Sequence, residues 1–164
     1  MTTPSRPRRR ALFAVLVVGL VALAWVTKEV VEGLLADGRA VDLGLLQLRL
    51  TYNTGVAFSL GAGLPTGVVL GVTGAVTLAI AVYAWFTVPA VPLIGLLGLA
   101  GVVAGAVTNL VNRALDAAVT DYFHTGWFPT FNLPDALLTV GVVLVVISTL
   151  LPEARDADAP RTQG

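Results

Sequence analysis

Long apolar runs separated by short polar breaks dominate the chain, and they predict four membrane-spanning helices. Each run has close to the roughly 20 residues that a helix needs to cross the hydrocarbon core of a bilayer. We place the spans at about residues 11–31, 65–87, 91–111 and 134–151. Residues 88–92 form the junction of the second and third spans, and their two prolines disfavour a continuous helix and predict a tight antiparallel turn.

A different pattern occupies the first polar break. Residues 41–52 partly alternate apolar and polar side chains, which is typical of a strand, and Asn53-Thr54-Gly55 then gives a turn signal. We therefore predict a small sheet at the membrane surface. The second long break, residues 111–135, is polar and aromatic, and we interpret it as a loop. The predicted fold class is an all-α membrane protein with four transmembrane helices and a small extracytoplasmic β-sheet and loop region.

Composition supports an integral membrane protein of one domain. The chain is 56% hydrophobic and 12% charged, whereas an ordinary soluble domain carries about 25% charged residues. The formal net charge of zero gives no indication of nucleic-acid binding. The absence of cysteine excludes thiol catalysis, disulfides and thiolate metal sites, and a single histidine argues against a dedicated metal cluster.

The arginines predict the orientation in the membrane. Residues 1–10 are basic and precede the first span, so the N-terminus is expected in the cytoplasm. This start imitates a signal peptide, but no clear cleavage site follows it, and we favour an uncleaved span. The transmembrane domain is then residues 11–151, with both polar breaks outside the cytoplasm, and the charged tail, residues 152–164, is expected to be disordered and cytoplasmic. Three arginines in the outer breaks weaken this signal: Arg39, Arg49 and Arg113.

Two aspartates in the second polar break are the candidate chemistry. Asp121 lies within it, and Asp135 opens the fourth span. Carboxylates beside a membrane span are costly, so they need an explanation. Two carboxyl groups forced together share a proton near neutral pH. One can then take a proton from water while the other polarises a scissile carbonyl.

Structural interpretations stand beside this one. Asp121 could be a solvated loop charge, and Asp135 could serve a helix N-terminus that Asn132 caps. Asn109 and Arg113 share a helix face, and Arg113 could pair with Asp116, cap the helix or contact a substrate. Asn53 and Gly55 could be only a turn. His124 and four aromatic residues are interpreted as interfacial: Tyr122, Trp127, Phe128 and Phe131.

Five short segments occur in a fixed order relative to the four spans. They are Thr27-Lys28, residues 53–59 (NTGVAFS), residues 105–113 (GAVTNLVNR), residues 119–122 (VTDY) and residues 128–135 (FPTFNLPD). Each segment alone is a weak signal. Together they resemble the motifs of the lipoprotein signal peptidases, or signal peptidase II, and the resemblance covers nearly the whole chain outside the tails.

The resemblance implies an aspartic endopeptidase of the bacterial plasma membrane, working on its extracytoplasmic side. Such an enzyme removes signal peptides from diacylglyceryl-modified prolipoproteins by cutting before the lipidated cysteine. By position, Asp121 and Asp135 would be the catalytic pair. The residues implied to bind substrate or support the site are Asn53, Gly55, Asn109, Arg113 and Asn132. No cofactor or metal is implied. The partners would be a lipid-modified prolipoprotein and membrane lipid, and a four-helix unit suffices as a monomer.

Four positions depart from the family pattern. Ala24 and Asn112 stand where the family has Asp, Thr108 replaces a small residue, and Pro134 replaces Ala. Asn112 removes a charge that would pair with Arg113, so weaker support for Arg113 is expected. Two alternatives therefore stay open: a catalytically altered paralogue acting as a non-enzymatic partner in lipoprotein maturation, and a small proton or solute carrier. The carrier is disfavoured because residues 50–112 carry no charge.

Overall fold

Four long helices carry the fold in the computed structural model, which describes residues 5–54 and 65–151. They are α1 (Arg6–Leu34), α2 (Thr66–Thr87), α3 (Leu93–Asp116) and α4 (Leu133–Leu150). Each is long and apolar enough to cross a membrane. Two earlier expectations, a role for Gly55 and a disordered tail at residues 152–164, lie outside the described residues.

A small antiparallel sheet accompanies the helices. Its strands are β1 (Val41–Asp42), β2 (Gln47–Asn53) and β3 (Val119–His124), in the order β1-β2-β3. The register of β2 and β3 shifts between Leu48 and Thr51, as a β-bulge does. Four apolar helices and a three-stranded sheet confirm the predicted fold class.

The strand β3 corrects the interpretation of residues 111–135 as a loop. Val119 to Tyr122 are all buried, so this segment lacks the alternation that marks a half-exposed strand. Tyr122 packs against Val31 and Leu35 at the end of α1. The β-branched and aromatic residues of β3 suit a strand, and its position brings Asp121 opposite Thr51 of β2.

Helix α3 forms the centre of the bundle. In its most apolar stretch 61% of the residues are buried, against 17% in each of the other three helices. Close packing with α4 requires glycine, because a Cβ at Gly98 would lie 2.7 Å from the Gly141 carbonyl oxygen and one at Gly105 would overlap the Pro134 carbonyl oxygen. Small residues at helix crossings of this kind let the backbones approach.

Two helices extend beyond the predicted apolar spans. α1 begins at Arg6, with proline in its first turn, where proline is well tolerated. α3 continues to Asp116, because Asn112 and Arg113 are buried against the protein and their polarity does not end the helix. It stops at Ala117, which has a left-handed φ of 56°.

The arginines of α1 bind the turn between α2 and α3. Arg9 Nε donates to the Val88 carbonyl at 3.1 Å, and another guanidinium nitrogen of Arg9 donates to the Val91 carbonyl. Arg10 lies over the Trp85 ring, 5.4 Å from its centroid. These contacts lie at the opposite end of α1 from Leu35 and the sheet, so the basic residues and the sheet occupy opposite ends of the bundle.

Candidate active site

Asp121 is a buried carboxyl group held by two amide side chains. Strand β3 places it with 4% of its surface exposed. Its Oδ1 accepts a hydrogen bond from Asn132 Nδ2 at 2.9 Å, and its Oδ2 accepts one from Asn53 Nδ2 at 3.4 Å. Asn53 ends β2, so the pairing of β2 with β3 creates this contact.

Asp135 occupies the first turn of α4 and takes part in a capping box. Asn132 Oδ1 accepts from the Asp135 backbone N–H at 2.8 Å, and Asp135 Oδ2 accepts from the Asn132 backbone N–H at 3.2 Å. The capping interpretation of both residues is therefore correct. The other oxygen of Asp135 has a separate partner, since Asn109 Nδ2 on α3 donates to Oδ1 at 2.8 Å.

Asn132 joins the two carboxyl groups. Its Nδ2 reaches Asp121 Oδ1 at 2.9 Å, Asn109 Oδ1 at 3.1 Å and the Thr120 carbonyl at 3.3 Å. An amide nitrogen has two hydrogens for these acceptors, so the contacts share them. Asp121 is thus connected to Asp135 through Asn132 and Asn109, and Asn132 is 1% exposed.

Both aspartates line one cavity of about 680 Å³. Asn53 and Asn109 lie with them in its polar part. The remaining wall is largely apolar and comes from the loop before α4 and from the first turns of α4. These wall residues include Trp127, Phe128, Phe131, Ala136, Leu138 and Val140.

The electrostatic environment favours a proton on Asp121. Burial raises the pKa of Asp121 to about 7, and the negative charge of Asp135 adds to the rise. Hydrogen bonds from Asn53 and Asn132 and the positive charge of Arg113 oppose this rise in pKa without cancelling it. A carboxyl group with this pKa can donate or accept a proton at neutral pH.

Comparisons with known proteins fit this geometry. The family model described as "Signal peptidase (SPase) II" matches residues 13–151. The chain belongs to the signal peptidase II family. The resemblance noted in the sequence is thereby confirmed, and membership implies a membrane protease that acts on lipoprotein substrates.

Two relatives agree with the family, and two solved structures match the fold. The lipoprotein signal peptidases of Brucella ovis and Brucella canis are each 36% identical over 134 residues, covering 79% of this chain and 83% of theirs. A bacterial membrane enzyme solved by the in meso method at 2.3 Å resolution matches with a TM-score of 0.73 and 22% identity, covering 91% of this chain and 93% of its own. Another bacterial membrane enzyme, solved by the same method at 1.9 Å resolution, matches with a TM-score of 0.69 and 24% identity, covering 87% of this chain and 94% of its own. These two share the fold.

The structure gathers most of the signal peptidase II residues named from the sequence. Asn53, Asn109, Asp121 and Asp135 line the cavity, and Asn132 connects them. Arg113, on α3, is the remaining described residue of that set. It is 6% exposed, and its positive charge acts on Asp121.

Some residues have contacts other than those considered from the sequence. Asp116, a suggested partner of Arg113, pairs with Lys28 at 3.2 Å. Trp127 and Phe128, interpreted as interfacial, line the cavity wall. Among residues 5–54 and 65–151, no group of three His, Cys, Asp or Glu side chains is placed to hold a metal.

Sequence reasoning missed the part played by Thr120 and Tyr122. The Tyr122 hydroxyl accepts a hydrogen bond from the Leu133 backbone N–H at 3.0 Å, which fixes β3 against the start of α4. Thr120 bonds to residues of α1 and α3. A strand assignment would have placed Thr120 and Tyr122 on the same face, because side chains two residues apart in a strand point to the same side, but it would not have identified their partners.

Proposed function

We propose that this protein is an aspartic-type endopeptidase that removes the signal peptide from lipid-modified prolipoproteins, cutting before the lipidated cysteine. The observation that supports this best is the pair Asp121 and Asp135, which line one cavity and are joined through Asn132. Membership of the signal peptidase II family supplies the substrate class.

The chemistry follows from the unequal environments of the two carboxyl groups. Asp121, with its raised pKa of about 7, carries the proton and polarises the scissile carbonyl. The two carboxyl groups share this one proton, and Asp135, as the member of the pair without it, takes a proton from the water that attacks the carbonyl carbon. When the resulting diol collapses, the C–N bond breaks, Asp135 gives its proton to the leaving nitrogen, and a diol hydroxyl returns a proton to Asp121. No cofactor or metal takes part.

The neighbouring residues support this pair. Asn132 and Asn53 orient Asp121, and Asn109 orients Asp135. Arg113 stabilises negative charge in the site, because its positive charge favours the ionised form of Asp121. Gly55 is assigned to substrate binding on the family pattern alone.

The shape of the cavity suits a peptide attached to lipid. Its polar part holds the aspartates, and its apolar wall runs along the first turns of α4, which include Leu138 and Val140. Val140 is 56% exposed, and we infer that this apolar surface of α4 faces the lipid. Acyl chains can remain in the membrane while the peptide bond reaches the aspartates, and this anchoring lowers the entropic part of the barrier.

We further propose a monomer in the bacterial plasma membrane, with residues 11–151 as the peptidase domain. The arginines at the α2–α3 turn support cytoplasmic N- and C-termini, since basic residues favour that side. The sheet and cavity then lie on the extracytoplasmic side. The non-enzymatic and carrier alternatives are not favoured, because this chain belongs to a protease family and retains both aspartates.

Cleavage of a defined precursor tests the proposal. Purified protein in lipid vesicles would be given a diacylglyceryl-modified prolipoprotein and its unmodified form. We expect Asp121→Asn and Asp135→Asn each to abolish cleavage, while Asp37→Asn, which alters an exposed carboxylate paired with Arg39, retains it. The unmodified precursor should be a poor substrate. Near-normal turnover by either cavity variant would refute the two-carboxylate mechanism.

A further inference from the structure

A charged cluster centred on the buried Lys28 lies beside the site but does not line its cavity. It consists of Lys28 and Glu32 on α1 and Asp116 on α3. Lys28 is 7% exposed, and its Nζ lies 3.0 Å from Glu32 Oε2 and 3.2 Å from Asp116 Oδ2. The two acids are more open, with 26% of the Glu32 side chain and 46% of the Asp116 side chain exposed. Such pairs contribute little net stability, because solvent weakens the attraction at the exposed acids and desolvation of the buried lysine offsets it. This cluster therefore calls for a role other than stability.

Both carboxylates of the cluster lead to Thr120. The Thr120 hydroxyl donates to Glu32 Oε1 at 2.7 Å. Asp116 Oδ2 accepts from Asn112 Nδ2 at 2.6 Å, and Asn112 Oδ1 accepts from the Thr120 backbone N–H at 2.8 Å. Lys28 thus reaches the side chain of Thr120 through one acid and its backbone through the other.

Thr120 immediately precedes Asp121 in β3, and its remaining polar group is also bound. Its carbonyl accepts from Asn132 Nδ2 at 3.3 Å. Thr120 is 2% exposed. Because consecutive strand side chains face opposite sides, the cluster holds one side of β3 while Asp121 faces the cavity on the other.

The cluster accounts for two departures from the family pattern. Ala24 and Asn112 lack the carboxylates of that pattern, and Glu32 and Asp116 lie four residues after Lys28 and Asn112. Residues four apart share a helix face. Relative to positions 24 and 112, the two acids therefore come from about two turns further along α1 and one turn further along α3, and Asn112 links Asp116 to Thr120.

We propose that Lys28, acting through Glu32 and Asp116, is a positioning residue that fixes Thr120 and so holds Asp121 in its catalytic orientation. The catalytic part of this inference rests on the proposed peptidase function. Lys28 does not touch the substrate. Replacing Lys28 should lower kcat, because β3 is held less firmly, and should leave the apolar cavity wall intact.

The sharpest test removes one polar group at a time from Lys28 and from Thr120. Thr120→Val keeps the shape and the backbone bond but removes the hydroxyl bond to Glu32, whereas Thr120→Ser keeps both bonds. Lys28→Gln removes the charge. Glu29→Gln is the matched control, since Glu29 lies 3.6 Å from Lys28 with 57% of its side chain exposed. Each variant would be assayed for kcat and KM on the lipid-modified precursor.

We expect Thr120→Val and Lys28→Gln to lower kcat by roughly tenfold or more, because misplacing a reacting group by about 1 Å costs on the order of 100-fold. KM should stay within about twofold of the wild-type value, since uniform binding is untouched. Thr120→Ser and Glu29→Gln should keep most of the turnover. Unchanged kcat in Thr120→Val, or an equal loss in Glu29→Gln, would overturn the inference.

Hydrogen exchange gives a second readout that needs no substrate. In Lys28→Gln and Thr120→Val the amides of β3, residues 119–124, should exchange faster, while those in the middle of α3 do not change. Unchanged protection of β3 in both folded variants would overturn the positioning role. If the wild-type protein cleaved no precursor, the peptidase proposal would fail, and exchange would still decide whether the cluster holds β3.

Discussion

Replacing Asn132 separates two tasks that one side chain performs. Its Oδ1 caps α4 at Asp135, and its Nδ2 donates to Asp121, Asn109 and the Thr120 carbonyl. Asn132→Ser keeps a good capping oxygen and removes the donor, whereas Asn132→Ala removes both. Comparing the two variants therefore isolates the hydrogen bond to the carboxyl group from the helix cap.

The magnitudes follow from the contacts. A helix cap is worth about 1 kcal/mol, and leaving a buried acceptor without its donor costs about 1 to 3 kcal/mol. Asn132→Ser should therefore destabilise the protein by about 2 kcal/mol and Asn132→Ala by about 3 kcal/mol. Thermal unfolding of the purified variants would rank them.

The direction in which the pH profile of kcat shifts tests the hydrogen bond from Asn132 to Asp121 most directly. The hydrogen bond from Asn132 lowers the pKa of Asp121, so its loss should raise that pKa further above the ordinary value of 3.8. In both variants the alkaline limb of kcat should move to higher pH than the wild-type limb near 7, with a smaller maximum. A limb that stays in place or moves to lower pH would refute the assigned hydrogen bond.

Three further predictions concern the wild-type protein, the contact between α3 and α4, and the cavity wall. Because the pKa of Asp121 is raised to about 7, its contribution to stability is full below about 3.8 and is lost as pH rises through 7. The thermal unfolding midpoint and kcat should both fall as the pH rises through 7. A wild-type midpoint that depends on pH as little as the midpoint of Asp121→Asn would contradict this. Gly105→Ala should destabilise by about 1 to 3 kcal/mol and lower kcat, because its methyl group would overlap the Pro134 carbonyl oxygen; Gly19→Ala, with nothing within 4 Å, is the control, and equal midpoints would refute the packing argument. Trp127→Ala, at a cavity-wall residue 84% exposed, should raise KM severalfold with an unchanged midpoint, and an unchanged KM would exclude it from substrate binding.

The four helices could be predicted because hydrophobic length alone specifies them. The ends of the helices could not, since Asn112 and Asp116 are polar but bind partners within the protein. Strand β3 was missed for a related reason. Its buried run from Val119 to Tyr122 shows no alternation, and its identity depends on pairing with β2, about 70 residues earlier in the chain.

The candidate site divides in the same way. Asp121 and Asp135 were named from the cost of carboxylates near a membrane and from family motifs, and the role of Asn132 as a helix cap followed from its place before Pro134. The bonds from Asn53 to Asp121 and from Glu32 to Thr120 join elements distant in sequence. Spacing along one helix or strand carries no information about such contacts.

The central claim is that Asp121 and Asp135 share one electrostatic site. Infrared titration of the Asp121 carboxyl group, in protein with Asp135 intact and in Asp135→Asn, tests it most directly. The account predicts protonation near pH 7 in the wild-type protein and a distinctly lower pKa in the variant, because the neighbouring negative charge is gone. The same midpoint in both proteins would show that the two carboxyl groups are not coupled and would contradict the proposed dyad.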